Sequence, residues 1–426
     1  MAVNFISRDH PRALRDFFPR ELLLFLLLGG IVRLWISHST GGFDVRCWFD
    51  AVKILSSSDI KEFYSLAYPK PAEYEYPPVW MLILNLVSLG YRAGLYTSEL
   101  SPVFRSLVKL PMIVSDVFVS LVVFLQVRRW TSDDDRALVS TVVWLFNPFV
   151  IYVSSIQGMF DSICILFLLL AVYSLDEDKF FQGGIWFGLA LLTKQYAYFA
   201  IFPLIAVLLK RRTLHGASIF FGTSGVLFLT FSIPFLIHSP SEYVASVGAA
   251  SRLESSLCTR YQNFEGFFFT GLWYLLDKTF HLPSDAFYYY KPALFLSMLL
   301  FTALCYLHGD RRTAFNDVLL GSNMVFTLVG LMINSQYLIF PMAFSAVDVG
   351  IHQRSYRWFL PELILSTYFP LRNLDYAPIG LRTYGLVVSI TMIAWTLTHL
   401  TALCLRSASA ALHPTTPYLP KLKTGE

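Results

Sequence analysis

Pro78-Val79-Trp80-Met81-Leu82-Ile83-Leu84-Asn85-Leu86-Val87-Ser88-Leu89-Gly90-Tyr91-Arg92-Ala93-Gly94 has the look of a membrane span, and whether it crosses decides how the rest of the chain folds. Basic residues in short loops stay on the cytoplasmic side. A basic leader (Arg8, Arg12, Arg15, Arg20) precedes the first apolar run, which places Asp44 on the far side. Arg128-Arg129, Lys210-Arg211-Arg212, Arg311-Arg312 and Arg354 with Arg357 mark further cytoplasmic loops. If 78–94 spans, Arg128-Arg129 and the Lys210 cluster are exported. If it is an interfacial or re-entrant helix inside one long outer loop, 38–106, every basic cluster falls inside. The second reading is therefore expected.

Outward from that loop, composition sets the class. Of 426 residues, 55% are hydrophobic and 15% charged, where a soluble protein carries about a quarter charged residues. Apolar runs at 21–37, 107–127, 217–237 and 384–404 each approach the ~20 residues that cross a bilayer. The first run lacks a small-residue cleavage site and is expected to stay as a helix. The net charge of +4 resides at helix ends, which gives no reason to expect a nucleic-acid partner. Cys47, Cys164, Cys258, Cys305 and Cys404 show no paired spacing, so neither a zinc site nor a disulfide framework is read. A Cys47–Cys258 bridge stays open if both loops face an oxidising side.

Further spans are expected at 137–153 and 161–175. The segment 182–209 must leave and return before Lys210, as two short helices with an apex at Thr193-Lys194-Gln195-Tyr196. After 217–237 comes a second outer loop, 238–290, then spans at 292–307, 315–332, 337–350, 358–370 and 384–404. The expectation is an all-α polytopic membrane helix bundle of about twelve crossings, one domain over 1–426, with both termini cytoplasmic.

That topology, built from basic clusters alone, brings Asp44, Glu75, Gln157, Asp161, Lys194, Arg252, Arg260, Asn334 and Gln336 to the outer side. Scattered polar residues converging on one leaflet are what a single site produces. Asp44 has two readings of equal weight, a general base for an acceptor hydroxyl or the N-cap of an interfacial helix over 45–56. Asp50 points elsewhere on that helix and is expected to be solvated. Glu75 and Tyr76, before Pro77-Pro78, either bind an acceptor or simply precede a proline-started helix. Gln157 and Asp161 would share a helical face and hold sugar hydroxyls, although Asp161 also suits the cap of the next helix. Lys194 is the cation suited to a departing phosphate. Arg252 and Arg260 are alternatives, each equally suited to lipid headgroups.

The order of these motifs resembles the GT-C superfamily of polytopic glycosyltransferases. The resemblance covers about residues 20–345 and rests on Asp44 in the first outer loop, Tyr76-Pro77-Pro78, 110–116, Phe146-Asn147-Pro148, 157–161, Thr193-Lys194-Gln195 and Asn334-Ser335-Gln336-Tyr337. Two subfamilies compete. The dolichyl-phosphate-glucose-dependent glucosyltransferases of N-glycan precursor assembly look similar around Tyr76-Pro77-Pro78, 157–162 and Lys194-Gln195. The first mannosyltransferase of GPI-anchor assembly looks similar around Ser154-Ser155, Asp161-Ser162 and Ser335-Gln336-Tyr337. That second family usually shows Asp-X-Asp in the first loop, and here the stretch is Gly42-Phe43-Asp44, without the first carboxylate.

The resemblance implies an inverting hexosyltransferase, mannose ahead of glucose, drawing on a polyprenyl- or dolichyl-phosphate sugar. It needs no cofactor beyond that donor and no divalent metal. Asp44 would be the base, and Lys194, Arg252 and Arg260 would steady the phosphate. Glu75, Tyr76, Gln157, Asp161, Gln195, Asn334, Gln336 and Tyr337 would contact sugar and acceptor. Implied partners are the lipid donor, a lipid-linked or glycan acceptor, membrane lipids and a small membrane subunit. The membrane would be the endoplasmic reticulum in a eukaryote and the plasma membrane in a prokaryote, with the site facing away from the cytoplasm. The competing classes are a lipid or solute transporter or flippase, disfavoured by the lack of an internal repeat, and a catalytically inactive relative.

Overall fold

The computed structural model describes residues 18–67, 74–211, 213–248, 272–283, 289–308, 315–330, 335–352, 386–387 and 389–401. Among these there are helices and turns and no strand. The principal helices are α1 (Arg20–Ser39), α2 (Phe43–Ser57), α3 (Phe63–Ala67), α4 (Pro78–Arg92), α5 (Pro102–Thr131), α6 (Asp134–Leu145), α7 (Asp161–Leu175), α8 (Phe180–Leu191), α9 (Ile201–Lys210), α10 (Leu214–His238) and α11 (Pro240–Val247). They are followed by α12 (Leu272–Phe280), α13 (Tyr290–His308), α14 (Phe315–Val329) and α15 (Ile339–His352).

Four described helices are long and apolar enough to cross a membrane: α1, α5, α10 and Tyr290–Leu307 of α13. A fifth forms if α6 and Pro148–Gln157, bent by 44°, are one span. The remaining apolar helices, α7, α8, Gln195–Lys210, α14 and Gln336–Ile351, are shorter. The described residues thus hold fewer full-length spans than the twelve expected, and the expected span at 358–370 lies outside them. α1 and α10 expose most of their apolar length, whereas the corresponding window of α5 is 61% buried. α5 packs on α1, α6 and α7 and is the post of the bundle.

α4 is the segment on which the topology turned. It has 15 residues, about 22 Å at 1.5 Å per residue, against a hydrocarbon core of about 30 Å. Its main partner is α2, whose buried Val45, Trp48, Phe49, Val52 and Leu55 recur at helical spacing. Pro77-Pro78 start α4 without a backbone donor to waste, and Val79 N donates to Leu192 O at 3.0 Å, seating the helix on the break after α8. The expected hairpin at 182–209 is there: α8 ends at Leu191, and a 3-10 turn (Gln195–Ala200) leads into α9.

Two buried polar residues of α5 contrast. Asp116 pairs with Arg33 of α1 at 3.0 Å, both fully buried, and also accepts from Ser162 of α7. Gln126, by contrast, is buried with no hydrogen-bond partner for either amide atom among the described residues. An unsatisfied buried amide costs about 1–3 kcal/mol. Gln126→Met is therefore expected to stabilise the protein by about 1 kcal/mol, read as a higher thermal midpoint in detergent.

Candidate functional site

α1 ends at Ser39, and Thr40-Gly41-Gly42 turn the chain into α2. The N-cap of α2 is Gly42, and Asp44 lies inside the first turn, where its carboxylate accepts from its own backbone N–H. The cap position expected of Asp44 is thus held by Gly42. The carboxylate also accepts from the Gln157 amide and lies within electrostatic reach of Lys194 and Asp161. Burial pushes its pKa up from 3.8 to about 6, the Lys194 cation opposing, Asp161 adding to the rise, and the Gln157 bond lowering it. A carboxylate ionising just below neutral pH matches what a general base requires.

Asp161 accepts from Lys194 Nζ at 2.7 Å, with both side chains buried. Four rings close around the ammonium: Phe160 at 4.8 Å, Tyr76 at 5.4 Å, Tyr196 at 5.6 Å and Tyr337 at 5.8 Å from ring centre to Nζ. A cation so enclosed and so paired differs from the accessible phosphate ligand expected of Lys194. Its neutralising partner is already in place, because a lone buried ammonium would be too costly to fold around. Asp161 opens α7 while Phe160 occupies the cap position expected of Asp161. Its second oxygen, Oδ2, is buried without a hydrogen-bond partner among the described residues.

Gln157 and Asp161 do not share a helical face as expected. One turn of π-helix, Tyr152–Gln157, ends at Gly158 with φ 79°, and α7 starts afresh at Asp161. Both still reach Asp44, because the break folds the chain back. Gln157 Nε2 also donates to Gln336 Oε1 at 3.4 Å. Tyr337, beside Gln336 in the 3-10 turn Ser335–Leu338, packs its ring 4.4 Å from that of Tyr196. Tyr76 lies between Trp48 and Phe160, at 5.8 and 4.8 Å between ring centres. Glu75 is exposed at the rim.

Gln195 has backbone partners. Its amide donates to Glu75 O at 2.7 Å and Val247 O at 3.2 Å, bracing two loops. Asp50 pairs with Lys53 at 2.6 Å on the outer face of α2. Arg252, Arg260, Asn334 and Cys258 lie outside the described residues, and with them the Cys47–Cys258 question.

Three parts of the site were not anticipated. Trp80 stacks on Phe160 at 4.6 Å and 7°, and Trp48 Nε1 donates to Gly158 O at 2.9 Å, making an aromatic floor under α2. Gly158 is the second: a Cβ there would stand 2.8 Å from Val45 Cγ2, besides the strain of its positive φ. Gly158→Ala is expected to cost about 1–2 kcal/mol from the backbone alone, with displacement of α2 in addition. Thermal midpoint and activity should fall together. Lys109 is the third, and its signal was in plain view: a lysine inside an apolar run of spanning length is costly and marks function.

Residues 103–238 match the family described as dolichyl-phosphate-mannose-protein mannosyltransferase. Over 137 residues the chain is 30% identical to GPI mannosyltransferase 1 of Candida albicans, a match covering 31% of this chain and 29% of that protein. It thus spans less than a third of that relative's length. The structure is similar to the crystal structure of ArnT from Cupriavidus metallidurans bound to undecaprenyl phosphate, with a TM-score of 0.50 and 14% identity, over 93% of this chain and 73% of that one. At that identity the likeness is one of fold.

Proposed function

We propose that this chain, a membrane protein with the fold of the GT-C glycosyltransferases, moves a hexose from a polyprenyl or dolichyl phosphate to a hydroxyl of a lipid-linked or glycan acceptor. The observation that carries the reading is Asp44, an ionisable carboxylate in a half-buried polar cluster of Gln157, Asp161 and Lys194. The acceptor oxygen attacks the anomeric carbon as its proton passes to Asp44. The bond from that carbon to the phosphate oxygen breaks, and the lipid phosphate leaves from the opposite face, so configuration inverts.

The lipid-phosphate donor is supported by the undecaprenyl phosphate bound in the ArnT structure. Mannose is supported by the family match and the Candida albicans relative. Gln157 and Asp161 each hold a buried acceptor oxygen without a partner among the described residues, suited to sugar hydroxyls once the site opens around a substrate. We assign Lys194 to keeping Asp44 ionised, and the phosphate charge to Arg252 or Arg260 in the second outer loop. Transfer proceeds without a divalent metal on the non-cytoplasmic face. Asp161 is already neutralised by an ammonium, and glycine stands where a second carboxylate would complete a pair.

The test is transfer by purified protein from dolichyl- and undecaprenyl-phosphate mannose and glucose to lipid-linked glycan acceptors, with and without EDTA. Mannose transfer insensitive to EDTA is expected. Inactivity with every donor would favour the inactive-relative reading, and loss of transfer with EDTA would overturn the metal assignment.

A further inference from the structure

Lys109 takes no part in the proposed chemistry, yet it is fully buried and pairs with no carboxylate among the described residues. Its ammonium lies against five oxygens: Ser37 O at 3.3 Å, Thr40 O at 2.8 Å, Thr40 Oγ1 at 3.0 Å, Ser155 O at 2.8 Å and Ile156 O at 3.2 Å. One comes from the last turn of α1 (Ser37), two from Thr40 just after it, as carbonyl and hydroxyl, and two from the end of the π-helical turn (Ser155 and Ile156). Thr40 Oγ1 in turn donates to Ser155 O at 2.8 Å, stitching the two ends directly. One helical turn earlier on α5, Arg105 Nη1 donates to Ser39 O at 3.3 Å.

The carbonyls at a helix C-terminus lack intrahelical donors and carry about half a negative charge together. Two C-termini meeting head to head repel. Two halves sum to about one charge, which a single ammonium balances without any carboxylate. The room for it is made by Gly158, where a Cβ would come 3.3 Å from Lys109 Cε.

What these two ends lead into gives the clasp its consequence. Past Thr40 the chain reaches Asp44, and Gln157 directly follows Ile156. We infer that Lys109 is a positioning residue, a clasp of two helix C-termini that sets the register of Asp44 against Gln157. The catalytic part of this inference rests on the transferase reading, but the clasp itself does not. Sequence flags the lysine but hides the clasp, since the partners are backbone atoms and no acidic residue signals them.

The experiment is hydrogen exchange by mass spectrometry on the full-length protein in detergent, with steady-state kinetics alongside. In Lys109→Met, the amides of 38–47 and 152–160 are expected to exchange at least ~10-fold faster, while those of α8 and α10 do not change. The kcat is expected to fall ~100-fold with little change in donor KM, as misplacement of a reacting group by an ångström does. In Lys109→Ala, added n-propylammonium should recover part of both protection and kcat, which loss of packing alone would not allow. Thr40→Val, the gentler variant should Lys109→Met fail to fold, is expected to loosen the same two segments less. Gln126→Met serves as the control, with exchange in both segments unchanged. Unaltered exchange of either segment in the folded variants would overturn the clasp. Faster exchange with no transfer by the wild type would uphold it and count against the transferase reading.

Discussion

Asp44→Asn is expected to cut transfer by about two to four orders of magnitude and to make the protein more resistant to heat. Removing a general base lowers rates by about 10²–10⁴-fold. Asn retains the shape and the Gln157 contact but cannot take the acceptor proton. The stability gain follows from the raised pKa. An Asp at 3.8 in the unfolded chain and about 6 in the fold binds its proton more tightly when folded. Folding is therefore penalised wherever the wild type is ionised: fully above pH 6, fading between pH 6 and 4, and absent below. At 1.36 kcal/mol per unit the penalty is at most about 3 kcal/mol, and water contact reduces it. Thermal midpoints of both proteins from pH 4 to 8 should converge at the acid end. A variant that loses activity and is also less stable at pH 8 would make Asp44 a structural residue. Transfer by the wild type should itself fall as pH drops through about 6, where the base becomes protonated.

Lys194→Met is expected to cost about 3–5 kcal/mol, because it strands Asp161 as an unpaired charge in the interior. Lys194→Met/Asp161→Leu should recover most of that loss, since both charges leave together and the two effects are coupled. The kinetic consequence separates two roles for the lysine. Lys194 holds the Asp44 pKa down, so its removal shifts the acid limb of the pH–rate profile to higher pH. If Lys194 acts through Asp44, raising the pH restores much of the single variant's kcat. If it touches the departing phosphate, kcat stays low at every pH. The enclosure of Nζ by four rings and a carboxylate predicts the first outcome.

The proposed site was partly legible in the sequence, and the gaps have identifiable causes. Asp44, Gln157, Asp161, Lys194 and Gln336 stand out as polar side chains in an apolar chain that the basic clusters put on one side, and Tyr337 comes from the family resemblance. Their pairings could not be read. Lys194 was assigned to a phosphate because its carboxylate partner lies 33 residues away, across a break that sequence spacing does not reveal. The acceptors of Gln195 are backbone carbonyls of Glu75 and Val247, which every residue carries and none advertises. Lys109 stands out in its apolar run, but its backbone partners are hidden for the same reason.

The amino-acid sequence by itself determined that this is an all-helical membrane protein, that 182–209 breaks near Lys194, and which polar residues are candidates for its site. Those properties follow from hydropathy, charge and glycine or proline placement, all of which act locally along the chain. The tertiary structure alone decided that α4 packs along α2. It also decided that several apolar runs form helices of 10–17 residues, and that Asp44 lies in the first turn of α2, after Gly42 at its cap. It further determined that the lysine expected to meet a phosphate is instead closed in by Asp161 and four rings. These outcomes depend on which groups meet across the bundle. A buried charge must find its counterpart wherever the fold brings one, and linear spacing carries no record of that meeting.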